Sequence, residues 1–404
     1  MRKFLCCFLT LLLLFSGSTA WAMPVTVSSE CDLSDLDTPL ESVTASAAVG
    51  QKLDIKAKSA FLIEPVTGTV LYEDNADEVV PPASITKIMS LVLIMEAIDR
   101  GQLTTETVIT ASEHACSMGG SQIWLEPGES MTVDDLLKAT VIASANDATV
   151  ALAETVAGSE EGFVAMMNER ARELGLTKSH FVNCTGLDAD GHVMTAHDVG
   201  LAAAALIGHP LIKNYSTVWM DTLRDGKSEL VNTNKLVRFY KGTTGLKTGT
   251  TSQAGYCLAA SAERDGLSLV AVIMGGETSN DRFNGAKKLL DFGFANFSFA
   301  TVKPQLPPET TTAVKDGTKK TVRVTAGKPF CFLSEKTKAQ KIEQVITYNK
   351  NLCAPVKKGQ QVGQIDLYSG KECVGTIPLY AEETVLRRSF GTMFRWLLDG
   401  LLML

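Results

Sequence analysis

Apolar residues change their spacing several times along the chain, and each spacing predicts a different element. Phe4 to Phe15 is an almost unbroken apolar run behind Arg2 and Lys3. It is too short to span a bilayer well, and the small residues Ala20 and Ala22 follow it. That is the pattern of a secretory leader occupying residues 1–22 and cut after Ala22. An uncleaved amino-terminal anchor is the alternative, and on either reading the body of the protein is exported. Residues 23–48 are polar and rich in Ser, Thr and Asp, and read as a loosely held lead-in.

Ordered patterns then begin. Ser59 to Ile63 and Thr69 to Tyr72 are β-like runs around Pro65-Val66-Thr67-Gly68, a hairpin signature. Pro81 and Pro82 precede the apolar stretch Ile85 to Ile98, as at the start of a buried helix. Thr132 to Ala143 and Asp147 to Val156 predict two further helices, the first opened by a Thr132/Asp135 cap. After Lys247, Ala254 to Ala262 and Leu267 to Met274 form a second hairpin around Arg264-Asp265-Gly266. Strands at both ends with helices between them predict an α+β domain over residues 49–300, its terminal strands paired in one antiparallel sheet. Near residue 300 prolines interrupt the pattern. Short alternating runs follow at Thr321 to Val324, Gln344 to Tyr348 and Gln364 to Leu367, which predict a small all-β domain over residues 301–384.

The last residues, 385–404, follow a helical period. Arg388, Thr392, Arg395 and Asp399 fall on one stripe, and Leu386, Phe390, Met393, Phe394, Leu397, Leu401 and Leu404 on the other. The charges are too evenly spread for a spanning helix, so the segment is expected to lie in a membrane interface as an amphipathic anchor. The protein would then sit peripherally on the outer face of the cytoplasmic membrane. A helix docked on the protein's own core is the alternative.

Composition narrows the chemistry. With 404 residues, 45% hydrophobic and 21% charged, the chain has material for more than one globular core. Its net charge of −7 and the absence of a long basic run leave no footprint for nucleic acid. The seven cysteines beyond the leader are odd in number and show neither CxxC nor metal-finger spacing. His192 and His197 have no HExxH pattern around them. Neither a metal nor a cofactor is expected.

The candidate chemistry lies in three short motifs. Ser84-Ile85-Thr86-Lys87 places a lysine amine one helical turn from a serine hydroxyl, and a serine nucleophile needs such a base. Ser144-Ala145-Asn146 falls in the break between two predicted helices, where both side chains can turn into a cleft. Lys247-Thr248-Gly249-Thr250 precedes the second hairpin. There Lys247 and Thr248 can hold a carboxylate, Gly249 admits a substrate backbone to the strand edge, and the N–H groups of Thr250 and Ser84 can form an oxyanion hole. Singly these are an exposed helix start, an N-cap and a surface loop. Each pattern occurs once, however, and their order and placement at element boundaries carry the functional reading.

With these motifs the chain resembles the penicillin-recognising serine D,D-peptidases, specifically the low-molecular-mass D-alanyl-D-alanine carboxypeptidases. The likeness takes in Gly120 through Gly128 to Asp147, Phe181-Val182-Asn183 with Gly186-Leu187, Thr195-Ala196 with Asp198, Ala254-Gly255-Tyr256 and Arg282-Phe283-Asn284. It covers roughly residues 50 to 385. It implies a β-lactamase/transpeptidase-like fold, peptidoglycan stem peptides ending in D-Ala-D-Ala as substrates, and β-lactam antibiotics as ligands. It also implies Ser84 as nucleophile, Lys87 as its base, Ser144 as proton relay and Asn146 as a contact to the substrate amide. Lys247 would be an electrostatic partner in the cleft, and Thr248 and Arg282 would bind the terminal carboxylate. One departure is Cys184, where proline is usual. Rival readings are a β-lactamase, which lacks support because no ExxxN glutamate lies between Ser144 and Lys247, a D,D-endopeptidase on crosslinks, and a non-catalytic penicillin sensor. Turnover of a D-Ala-D-Ala peptide separates the sensor from an enzyme.

Overall fold

The structure, a computed structural model, describes residues 25–26, 50–336, 342–391 and 394. The leader, nearly all of the lead-in and most of the carboxyl-terminal amphipathic segment lie outside the described residues.

Strands β1 (Ser59–Glu64) and β2 (Thr69–Asp74) form the first hairpin. Strands β3 (Thr243–Thr251), β4 (Gly255–Arg264) and β5 (Leu267–Gly276) come nearly two hundred residues later in the chain. All five join one antiparallel sheet in the order β2-β1-β5-β4-β3, so the two chain ends of the α+β unit meet at β1 and β5 as expected. Side chains alternate across a strand, and here both faces are apolar. Phe61, Ile63, Val270 and Val272 pack on one side, while Ala60, Leu62, Leu269 and Ala271 pack on the other.

Helices cover each face. On the first lie α1 (Lys87–Asp99), α2 (Val133–Ile142), α3 (Asn146–Ala157), α4 (Glu160–Glu173) and α5 (Ala196–Ile207). Helix α1 is apolar on all sides and is buried from Lys87 to Met95, as such a helix must be. The Thr132 hydroxyl accepts the Asp135 N–H at 3.1 Å, the cap read from the sequence. On the second face lies α6 (Ser279–Asn296), opened by a reciprocal Thr278/Asp281 capping box and packed through Phe283, Leu289, Leu290 and Phe292.

The chain leaves α6 directly into β6 (Phe297–Val302), so the change of pattern near residue 300 falls within a strand. β6 pairs with β9 (Phe330–Glu335). Strands β7 (Thr311–Ala313), β8 (Thr321–Ala326), β10 (Ile342–Tyr348), β11 (Gln361–Ser369) and β12 (Glu372–Ala381) form a second antiparallel sheet in the order β7-β8-β12-β11-β10. It has a core of its own around Val322, Ile365, Leu367 and Leu379. The segment expected to open the anchor is partly built into this region. Val385 is buried and pairs with Val356, and Arg388 N–H donates to Asp316 at 2.7 Å.

Candidate active site

Ser84 does not lie in α1 itself. It sits in a 3₁₀ turn, Ala83–Thr86, that follows two prolines and opens with a positive φ of 49° at Ala83. A 3₁₀ turn has three residues per turn, so Ser84 and Lys87 are eclipsed rather than offset. The tighter turn serves the pair better than a regular helix would.

Lys87 is fully buried. Its amine donates to Ser84 Oγ at 3.0 Å, to Asn146 Oδ1 at 2.6 Å and to the Thr185 carbonyl at 2.8 Å. Asn146 begins α3 and donates its amide to the Gly119 carbonyl at 2.6 Å, which fixes which way it points. Ser144 occupies the break between α2 and α3 at φ 65°, buried, its hydroxyl without a hydrogen-bond partner among the described residues. Next to it, Asp147 accepts from the backbone N–H groups of Ile123, Leu125 and Ala148. Burial pushes its carboxyl above the usual range, opposed by those same bonds.

Strand β3 is at the sheet edge, so one side of its backbone has no partner strand among the described residues. That edge runs against the nucleophile turn. A Cβ on Gly249 would stand 2.9 Å from the Pro82 carbonyl and 3.0 Å from the Ser84 nitrogen. A Cβ on Gly186, at φ 91°, would stand 1.9 Å from the Ala83 carbonyl, so neither site admits a side chain without displacing the turn. Arg282, in the first turn of α6, donates to Thr250 Oγ1 at 2.8 Å and to the Gly249 carbonyl at 3.2 Å. Its guanidinium lies 5.3 Å from the Tyr256 ring and 5.0 Å from the Phe283 ring, within cation–π range.

These elements enclose a cleft of about 360 Å³ whose lining includes Ser84, Ser121, Asn146, Leu187, Thr250 and Tyr256. Lys87, Ser144, Lys247 and Arg282 are buried behind it. Lys247 donates to the Thr248 carbonyl at 3.1 Å. Thr248 differs from expectation. It is buried, and its hydroxyl donates to Thr233 at 2.7 Å, so the hydroxyl beside Arg282 is that of Thr250.

Residues 43–278 match the family described as D-alanyl-D-alanine carboxypeptidase, and residues 302–387 match the C-terminal domain of penicillin-binding protein 5. The chain is 42% identical to D-alanyl-D-alanine carboxypeptidase DacF of Bacillus subtilis, over 84% of this chain and 88% of that one. The chain belongs to the D-alanyl-D-alanine carboxypeptidase family. Among solved structures it is similar to penicillin-binding protein 5 from Haemophilus influenzae, with a TM-score of 0.70 and 29% identity over 83% of this chain and 99% of that one. It is also similar to penicillin-binding protein D2 from Listeria monocytogenes in its ampicillin-bound form, with a TM-score of 0.55 and 33% identity over 60% of this chain and all of that one. The transpeptidase-like fold implied by the resemblance and the all-β carboxyl-terminal part expected from the alternating runs are therefore those of this family.

Sequence reasoning did not assign a role to the Thr185 carbonyl, which is backbone and leaves no residue signature. Nor did it give one to Asn183, whose Oδ1 accepts from the Gly186 N–H at 2.7 Å and whose amide donates to the Leu187 carbonyl at 2.8 Å. An Asn two residues before Thr-Gly is a turn signal that could have found it.

Proposed function

We propose that the protein is a serine D-alanyl-D-alanine carboxypeptidase that removes the terminal D-alanine from peptidoglycan stem peptides through an acyl-enzyme on Ser84. The observation that carries this reading is the buried Lys87 amine, 3.0 Å from Ser84 Oγ and held by two further neutral oxygens. Burial disfavours a charge, and a neutral amine can keep its two N–H donors on Asn146 and Thr185 while its lone pair takes the Ser84 hydroxyl proton. Ser84 Oγ attacks the carbonyl of the penultimate D-alanine, and its proton passes to Lys87. The N–H groups of Ser84 and Thr250 are the candidates for holding the developing oxyanion, each such donor stabilising the transition state by about 3 kcal/mol. The C–N bond then breaks, and Ser144 relays a proton to the departing amine of D-alanine. Water hydrolyses the ester and restores Ser84. Asn146 holds the substrate amide, and Arg282 with Thr250 and Lys247 binds the free carboxylate. A β-lactam acylates the same hydroxyl as its ring opens.

The test is direct. Release of D-alanine from an N-acylated Lys-D-Ala-D-Ala tripeptide is measured for the wild type and for Ser84→Ala, together with covalent labelling by a fluorescent penicillin. Both signals should vanish in the variant, and labelling that survives there contradicts the assignment. Arg282→Ala should harm turnover of peptides with a free carboxyl terminus far more than covalent labelling by an uncharged acyl donor.

The protein is further proposed to be exported and held peripherally on a membrane. No helix among the described residues is long and apolar enough to cross one. Residues 302–388 carry 15 Lys and Arg against 8 Asp and Glu, whereas residues 49–301 carry 20 against 31. Lys315, Lys319, Lys320, Arg387 and Arg388 lie on two segments joined by the Thr318–Leu386 and Arg388–Asp316 backbone bonds. Beside them Leu386, Phe390 and Phe394 are exposed, the two rings stacked 6.2 Å apart. A basic surface with exposed aromatics suits an anionic lipid interface. Truncation after Arg388, which spares the buried Val385 and the basic surface but removes Phe390 and Phe394, should leave an active enzyme that sediments far less with vesicles. Undiminished sedimentation would contradict the anchor.

A further inference from the structure

His192 lies behind both walls of the cleft and is not among the residues that line it. Its ring is buried and packs edge-on to Phe181, with centroids 5.9 Å apart. Nδ1 accepts the backbone N–H of Val182 at 3.0 Å, and Nε2 is 2.7 Å from Thr86 Oγ1. Thr86 has one hydroxyl proton, and that proton is given to the Ala83 carbonyl at 2.8 Å. Its oxygen must therefore accept from His192, which requires a proton on Nε2. Because Nδ1 is already accepting, the same tautomer is demanded from the other side of the ring. The result is one directed chain from the Val182 N–H through the imidazole and the Thr86 hydroxyl to the Ala83 carbonyl. Burial, helped by the neighbouring His180, pulls the pKa of His192 down to about 4, consistent with a neutral ring.

The two ends of this chain are the two parts that must be held in register for acyl transfer. Ala83 is the positive-φ residue of the turn that carries Ser84, and its carbonyl abuts Gly186. Val182 opens the loop whose Thr185 carbonyl is an acceptor for Lys87. Helix α1 touches this loop again through Ser90, which donates to the Cys184 carbonyl at 2.6 Å. That bond and the Lys87 bond tie the loop to the helix, and Lys87 reaches the turn only at the reactive Ser84 hydroxyl, not at the turn's backbone. His192 supplies a tie to the backbone of the turn, through Thr86 and the Ala83 carbonyl.

We propose that His192 is a positioning residue for acyl transfer, which as a neutral Nε2–H donor orients Thr86 and thereby locks the Ser84 turn against the loop that cradles Lys87. It touches neither Ser84 nor Lys87 and moves no proton in the reaction. This rests on Ser84 being the acylated residue.

Two substitutions divide the ring's functions. His192→Asn keeps an acceptor near Nδ1 and loses the donor to Thr86, whereas His192→Gln keeps a donor near Nε2. The second-order rate of acylation by a fluorescent penicillin, kcat and KM on the tripeptide, and the thermal midpoint are measured for each. His192→Asn should lower kcat and the acylation rate by about tenfold or more with little change in KM, since small misplacements of reacting groups have effects of that order. His192→Gln should recover most of the rate. Thr86→Val removes the same link from the other end, and combining it with His192→Asn should cost little more than either alone. If His192→Asn does not fold, Thr86→Val decides by the same criterion. The proposal is overturned if folded His192→Asn acylates at the wild-type rate, or if both histidine variants lose rate only in proportion to lost stability. A wild-type protein that is not acylated at all would instead remove the proposed function.

Discussion

The two five-stranded sheets of this molecule share antiparallel pairing but differ in what they bury. Strands β1, β4 and β5 are apolar on both faces, sandwiched between α6 and the five-helix layer. In β8 only Val322 and Val324 are buried, between exposed Thr321, Arg323 and Thr325, and in β10 every second residue is exposed. The first sheet is thus a fixed platform, and its edge strand β3 is pressed against the nucleophile turn at van der Waals distances. The second is a half-buried sheet whose open face is mainly polar, with Thr321, Arg323, Thr325, Glu343 and Thr347 exposed. The difference teaches that reaction geometry resides where the backbone is confined from all sides, while the other region is free to specialise its surface.

The comparison can be broken most severely at glycine. Gly186→Ala forces a Cβ into the Ala83 carbonyl, and the turn must move to admit it. Acylation should fall to background and stability by several kcal/mol. Gly370→Ala, at φ 62° in the turn between β11 and β12 with open space around it, should cost only about 1 kcal/mol and leave acylation intact. Equal effects on denaturant midpoints would refute the contrast. At the next level, Phe61→Ala empties a fully buried site between β1 and α5 and should cost about 3–5 kcal/mol. Val345→Ala, on the exposed face of β10, should stay within about 0.5 kcal/mol.

Acid should separate the regions as well, because all five histidines precede residue 210. The pKa of His192 is lowered from 6.5 to about 4, by burial first and by His180 second, with Asp188 opposing. The folded state therefore binds fewer protons than the unfolded chain between these values. Its stabilising effect is complete above pH 6.5 and is lost as pH falls toward 4, by about 3 kcal/mol. Urea midpoints across this window should decline in the wild type and decline less in His192→Gln. Parallel curves would show that the ring is not held neutral.

Much of this arrangement was legible in the residues. The two hairpins, α1, and the Thr132 cap follow from local pattern, and the Ser84 and Ser144 motifs fall at the element boundaries predicted for them, whereas the Lys247 motif lies within β3, a strand the pattern did not predict. Helices α4, α5 and α6 were not predicted, although Ser159, Thr195 and Thr278 each cap the N–H three residues on. Gly285 and Gly293 within α6 look like breakers in sequence, yet each packs closely, against Ile273 and Leu269 respectively. Close approach between distant elements decides such positions, and no local period records it. The same is true of the site. Lys87 and Ser84 are three residues apart and could be paired on paper, but the Thr185 carbonyl, His192 and the displacement of Thr248 by Thr250 depend on contacts across 15 to 106 positions of chain.

Ser144 exposes a different kind of selection. A non-glycine residue at φ 65° with a buried, unpartnered hydroxyl is a liability to folding on two counts. Ser144→Ala should therefore raise the thermal midpoint slightly while slowing release of D-alanine, and a lowered midpoint would show that the hydroxyl is structural after all. Under selection for stability alone this serine would drift to alanine or glycine within a lineage. Its persistence would be a fossil of turnover, so a descendant that had lost peptidase activity should betray itself first at position 144.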